Sequence, residues 1–128
     1  MLNNFSKKLF IKNKNKNILI KPIKVQHGNV HSICYIVDKK LAYISDVNKI
    51  YKKDYKYFKN LRYLIIDCLW YRNHPSHFNL EKSLEMIKKF KPKKAILTNL
   101  HTDIDYEEIK RKLPKNIVPA YDGLSVTL

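Results

Sequence analysis

The chain has 128 residues, room for one domain with a single core, and its 45% hydrophobic content excludes a disordered chain. Lys and Arg number 26 against 11 Asp and Glu, a net charge of +15. No apolar run approaches the ~18 residues of a membrane-spanning helix, which is excluded as well.

The positive charge has two readings. One is attraction to nucleic acid or another polyanion. The other is drift toward Lys, Asn and Ile on solvated faces. The second is favoured, because the charges are spread along the chain and arginine occurs only at Arg62, Arg72 and Arg111. Cys34 and Cys68 each sit in an apolar, strand-like run without a CxxC neighbour, and so read as buried thiols of a reducing compartment. The start, MLNNFSKKLF, is basic but has no apolar h-region and no cleavage site, so a cytoplasmic location is expected.

In chain order, residues 1–17 are polar and basic, end in KNKNKN, and are expected to form an exposed arm or turn. Ile18 to Val25 is β-rich, with Pro22 marking an edge or bend. Gln26-His27-Gly28 ends this strand, and a Gly directly after a His suits close backbone approach. Ile33 to Asp38 and Leu41 to Ser45 flank Asp38-Lys39-Lys40 and read as a hairpin whose second strand ends at Asp46. A short helix is expected over 54–60. Arg62 to Asp67, RYLIID, is the clearest strand, and it too ends in a carboxylate.

A polar aromatic loop, CLWYRNHPSHF, follows. Asn79 is the expected N-cap of a helix burying Leu80, Leu84, Ile87 and Met86 and stopped near Pro92. Ala95 to Thr98 is the next strand. Asp105 with Glu108 resembles a capping box for a helix that packs through Ile109 and Leu113 and stops at Pro114. Ile117-Val118 and Leu124 to Leu128 read as closing strands around a turn at Tyr121-Asp122-Gly123. The order is β-β-β-(α)-β-α-β-α-β-β, a mixed α/β chain with antiparallel strands first and βα units after.

Polar residues gather where these strands end. His27, His77 and His101 each follow or begin an ordered element, and Asp46 and Asp67 both end strands. Chemistry in α/β proteins collects at such strand ends. Imidazole and carboxylate are ligands for zinc, manganese or iron, and a carboxylate can bridge two ions. Taken singly, a strand-end Asp caps or turns and a loop His is solvated. There is no HExxH, paired CxxC, GxGxxG or P-loop.

The succession VQHG, LAYISD, LIIDC, HPSHFNLEKSL, AILTNLHTDIDY and PAYDGL resembles the C-terminal half of a metallo-β-lactamase-fold hydrolase over residues 18–128. Its nearest likeness is to the branch of the phosphoribosyl cyclic phosphate phosphodiesterase. The resemblance implies half of an αββα sandwich, a mixed sheet with helices on one face. It implies metal ligands at His27, in the HG turn, at Asp46, ending the Y-x-S-D strand, and at His101, in the last strand-end turn. It also implies a catalytic role for His77 of the HPSH loop, as a proton donor. The implied cofactor is a divalent metal, zinc or manganese, with two ions in complete family members. The implied reaction is hydrolysis of a small phosphodiester, a cyclic phosphate, by metal-bound hydroxide.

Two features depart from the family pattern. Where many relatives have LTH, this chain has Leu97-Thr98-Asn99, and the His lies two residues later. The HxHxDH motif, which the family carries in its N-terminal half, does not occur. The other half is therefore expected as a separate polypeptide, as upstream sequence, or through a homo-oligomer, and the isolated chain is expected to be inactive. The alternative readings are a non-catalytic basic module binding nucleic acid through its Lys-rich start with Trp70 and Tyr71, or a truncated module.

Overall fold

The computed structural model describes residues 8–128. Among them, seven strands form one sheet in sequence order, β1-β2-β3-β4-β5-β6-β7. These are β1 (Leu9–Asn13), β2 (Lys16–His27), β3 (Val30–Val37), β4 (Leu41–Ile44), β5 (Tyr63–Asp67), β6 (Lys94–Thr98) and β7 (Ile117–Pro119). A 3-10 turn (Lys52–Tyr57), helix α1 (Leu80–Phe90) and helix α2 (Tyr106–Lys112) fill the later connections.

The first four strands pair antiparallel and the last four parallel, as the βα spacing predicts. The β3–β4 turn places Asp38 and Lys39 at φ 49° and 54°, the mirror-image geometry that matches the twist of a hairpin. Asp38 Oδ1 also accepts the Leu19 N–H at 2.8 Å. Both expected helix caps form. Asn79 Oδ1 accepts the Lys82 N–H at 2.9 Å, and Asp105 Oδ1 accepts that of Glu108 at 2.7 Å. Helix α1 buries Ser83, Met86, Ile87 and Phe90, while Leu80 and Leu84 lie at the edge of the core.

Two expectations are corrected. The expected arm, residues 1–17, contains β1 and the start of β2; residues 1–7 lie outside the described ones. Leu9, Phe10 and Ile11 stand opposite Ile20, Leu19 and Ile18, and these apolar cross-strand pairs fold the KNKNKN stretch into a hairpin. The expected strand over Leu124 to Leu128 does not form: Leu124 N–H bonds back to Tyr121 in a turn. The sheet edge there is β7, only three residues long and ending at Pro119, which has no N–H to offer a further strand.

One core joins alternate residues of the sheet (Val25, Ile36, Ile44, Ile66, Leu97) to Phe58, Met86, Phe90 and Ile109. The helices therefore cover one face. The other face carries the apolar row Tyr35, Tyr43, Ile65, Ile96 and Val118, paired across five strands. Tyr35 and Tyr43 are 39% and 41% exposed on it. No helix among the described residues is long and apolar enough to cross a membrane.

Candidate metal centre

Strands β2, β4, β5 and β6 run in the same direction, so their C-terminal ends form one rim. His27 ends β2, Asp46 follows β4, Asp67 ends β5, and Asn99 follows β6. This topology gathers residues that lie far apart in sequence.

His27, Asp46 and His77 each offer a ligand atom, and these atoms lie within 4.8 Å of one another. Each is held from behind. His27 Nδ1 donates to the Ser76 carbonyl at 2.8 Å, which leaves Nε2 as the free nitrogen. His77 Nδ1 donates to Asp67 Oδ2, also at 2.8 Å, with the same consequence. Asp46 is fixed through its backbone. It turns at φ 53°, Ser32 Oγ donates to its carbonyl at 2.6 Å, and the next N–H, of Val47, reaches Asp67 Oδ2 at 3.0 Å. The Asp46 carboxylate is half exposed and lies 4.0 Å from His77 Nδ1. The His27 and His77 rings meet edge to face with centroids 4.8 Å apart.

Asp67 is the hub. It has no exposed surface and accepts from His77, from the Val47 N–H and from Asn99 Nδ2 at 3.0 Å. Its carbonyl accepts the Ser83 hydroxyl of α1 at 2.6 Å. The buried carboxylate is thus satisfied without solvent. Neither Asp67 nor Ser76 is among the ligands that the resemblance implies. The sequence signal for Asp67 was the carboxylate ending RYLIID; Ser76 had none, since it acts through its main chain.

Of the expected ligands, the structure brings His27 and Asp46 together, and His77 joins them. His101 lies outside this group. Asn99, at φ 61°, turns the chain at the end of β6, and its amide donates to Asp67 and to Ser45 Oγ at 2.9 Å. Beyond it, the His101 N–H bonds Leu69 at 2.8 Å, and the ring stacks on Trp70 with centroids 5.3 Å apart. His101 Nδ1 accepts the Asp103 N–H at 3.1 Å. His74 stands beside the trio, its ring 5.2 Å from that of His77.

The donor chemistry suits a divalent ion. Two imidazoles with anchored Nδ1 and free Nε2, together with one carboxylate, form a usual borderline-metal set. With three protein donors, coordination positions stay open for solvent or substrate.

No protein-family model matches the sequence, and no curated protein matches it. Solved structures do. A diphosphatase of the PhnP family superposes with a TM-score of 0.84 at 28% identity, over 93% of this chain and 46% of that one. Human tRNase Z, short form, gives 0.68 at 13% identity, over 95% of this chain and 46% of that one. The metallo-β-lactamase-fold protein YhfI from Bacillus subtilis gives 0.67 at 14%, over 91% and 51%. The chain thus spans about half the length of the solved proteins that it matches. Its mixed sheet, with helices on one face and metal-ligating residue types on the strand-end rim, has the architecture of the C-terminal half of the metallo-β-lactamase fold.

Proposed function

We propose that this chain is one half of a metal-dependent hydrolase whose substrate is a small phosphodiester, a cyclic phosphate being the best candidate. The observation that carries the reading is the convergence of His27, Asp46 and His77 within 4.8 Å, with both imidazoles anchored through Nδ1. These three would hold the ion, zinc or manganese. A bound divalent ion supplies Lewis acidity and lowers the pKa of a coordinated water.

The chain's own residues orient and charge the site. Asp67 fixes the tautomer and direction of the His77 ring, and the Ser76 carbonyl does the same for His27. Because a ring nitrogen of His77 lies within 4.8 Å of ligand atoms of His27 and Asp46, we assign His77 to the donor set ahead of the proton-donor role. His101 is left to line the rim with Trp70.

The partner in this reading is a second half carrying HxHxDH, supplied by another polypeptide or by sequence upstream of this chain. It would seat on the open sheet face at Tyr35, Tyr43 and Ile65, adding donors for a second ion. A cytoplasmic location completes the proposal, and the two free, buried thiols suit a reducing compartment.

The test is elemental analysis of the purified chain beside the His27→Ala/Asp46→Ala double variant. About one zinc or manganese per chain, lost in the variant, is the result expected from a three-donor set. Cyclic phosphate hydrolysis should then appear on addition of an HxHxDH-bearing half. Absence of metal in both proteins, and absence of hydrolysis in the mixture, would overturn the reading.

A further inference from the structure

A second feature lies at the opposite end of the sheet from His27. A cavity of about 430 Å³ opens between the start of β2, the β3–β4 turn and the 3-10 turn. Lys8, Lys21, Lys39, Lys56 and Lys59 line it. No Asp or Glu is among its lining residues, and none of these lysines forms an ion pair with a described carboxylate. Asp38, the acid next to Lys39, is engaged by the Leu19 N–H and by Lys16 at 3.8 Å. Lys21 lies six residues before His27 on β2, about 20 Å at the rise of a strand, so the cavity is separate from the metal centre.

The lysines come from separate parts of the chain, and the fold brings their charges together. Two of them crowd one ring: Lys21 Nζ lies 3.4 Å and Lys56 Nζ 5.2 Å from the centroid of Tyr57. Their ammonium groups, led by that of Lys21, hold the Tyr57 phenol below its ordinary range. Asp54 also acts on Tyr57, but five lysines with no carboxylate among the lining residues leave an excess of positive charge, which raises the local potential and attracts anions. Leu19, Ile36 and Leu61 give the cavity an apolar floor that offers no competing acceptor side chain.

We propose that this lysine-lined cavity binds closely spaced phosphate groups, each met by a lysine ammonium acting as a point charge. The ligand chemistry is that of a phosphate chain. Its source is either a free polyphosphate or the backbone of a nucleic-acid strand.

The experiment uses the purified chain, with sodium tripolyphosphate followed by calorimetry and a labelled single-stranded RNA followed by anisotropy, each at several salt concentrations. The triple variant Lys21→Gln/Lys56→Gln/Lys59→Gln is compared with Lys88→Gln/Lys110→Gln/Lys115→Gln, which removes the same charge elsewhere. Binding should fall about 10-fold or more in the cavity variant, with the RNA salt slope reduced by about 1 per lysine that meets a phosphate. The control triple should lose far less.

Cavity-dependent binding of tripolyphosphate alone identifies a small polyphosphate. Cavity-dependent binding of the RNA identifies a strand. No binding of either probe, or equal losses in both triples, overturns the proposal. If the triple variant does not fold, the exposed pair Lys56→Gln/Lys59→Gln against Lys88→Gln/Lys115→Gln gives the same comparison.

Discussion

His77 Nδ1 lies 2.8 Å from Oδ2 of Asp67, a carboxylate with no exposed surface. The pair makes Asp67 the residue that aims His77, though it touches nothing outside the protein. Asp67→Asn replaces one acceptor by a donor facing partners that are already donors. Affinity for zinc should fall roughly 10–100-fold, the usual cost of losing such a support. Asp67→Ala, which leaves three donors without an acceptor, should cost about 2–4 kcal/mol in denaturant unfolding. Wild-type zinc affinity and stability in both variants would show that the hub supports neither.

Gly28 closes the turn after His27 at φ +59°, and a Cβ there would stand 3.1 Å from Ser76 Cβ. Gly28→Ala should cost about 1–2 kcal/mol for the left-handed backbone alone. It also presses on the segment whose carbonyl holds His27. Gly123→Ala is the control, since it sits at φ +93° with nothing within 4 Å. Thermal unfolding should report a loss in both variants. Zinc content should drop only for Gly28→Ala, and an equal drop in both would rule out the Ser76 contact as the cause.

His77 and His101 separate by substitution. His77→Ala should lose bound metal, while His101→Ala should keep it. Because Trp70 is the sole tryptophan and His101 stacks on it at 5.3 Å, His101→Ala should change the tryptophan emission. Metal loss in His101→Ala would move that residue back into the donor set.

Burial pushes the Cys34 thiol up to about 12, and the Asp67 carboxylate adds to the shift. Burial does the same for Cys68, also to about 12. Both thiols stay neutral in the folded protein near neutral pH and should alkylate slowly until the chain is unfolded. The unfolded thiols titrate near 9.0 and the folded ones near 12, so stability is unaffected below about 9 and falls as pH rises toward 12. Urea midpoints against pH should show this fall in the wild type. The fall should be smaller in Cys34→Ala/Cys68→Ala.

What the sequence by itself determined is what a few neighbouring residues decide. RYLIID and AILT read as strands because an apolar run bounded by polar residues suits a buried sheet position. Asn79 and Asp105 read as caps because each supplies an acceptor three residues before the N–H that it satisfies. The antiparallel-then-parallel order followed from connection lengths, and His27 and Asp46 were visible as polar residues ending strands. The tertiary structure alone decided the rest. The bonds that build the centre span 49 residues from His27 to Ser76, 32 from Asn99 to Asp67 and 20 from Val47 to Asp67. No local pattern encodes those separations. The same holds for His101, drawn onto Trp70 instead of the trio, and for lysines that are scattered in the chain yet meet around Tyr57. Strand direction and the rim it creates choose among polar residues that look equivalent in the linear chain.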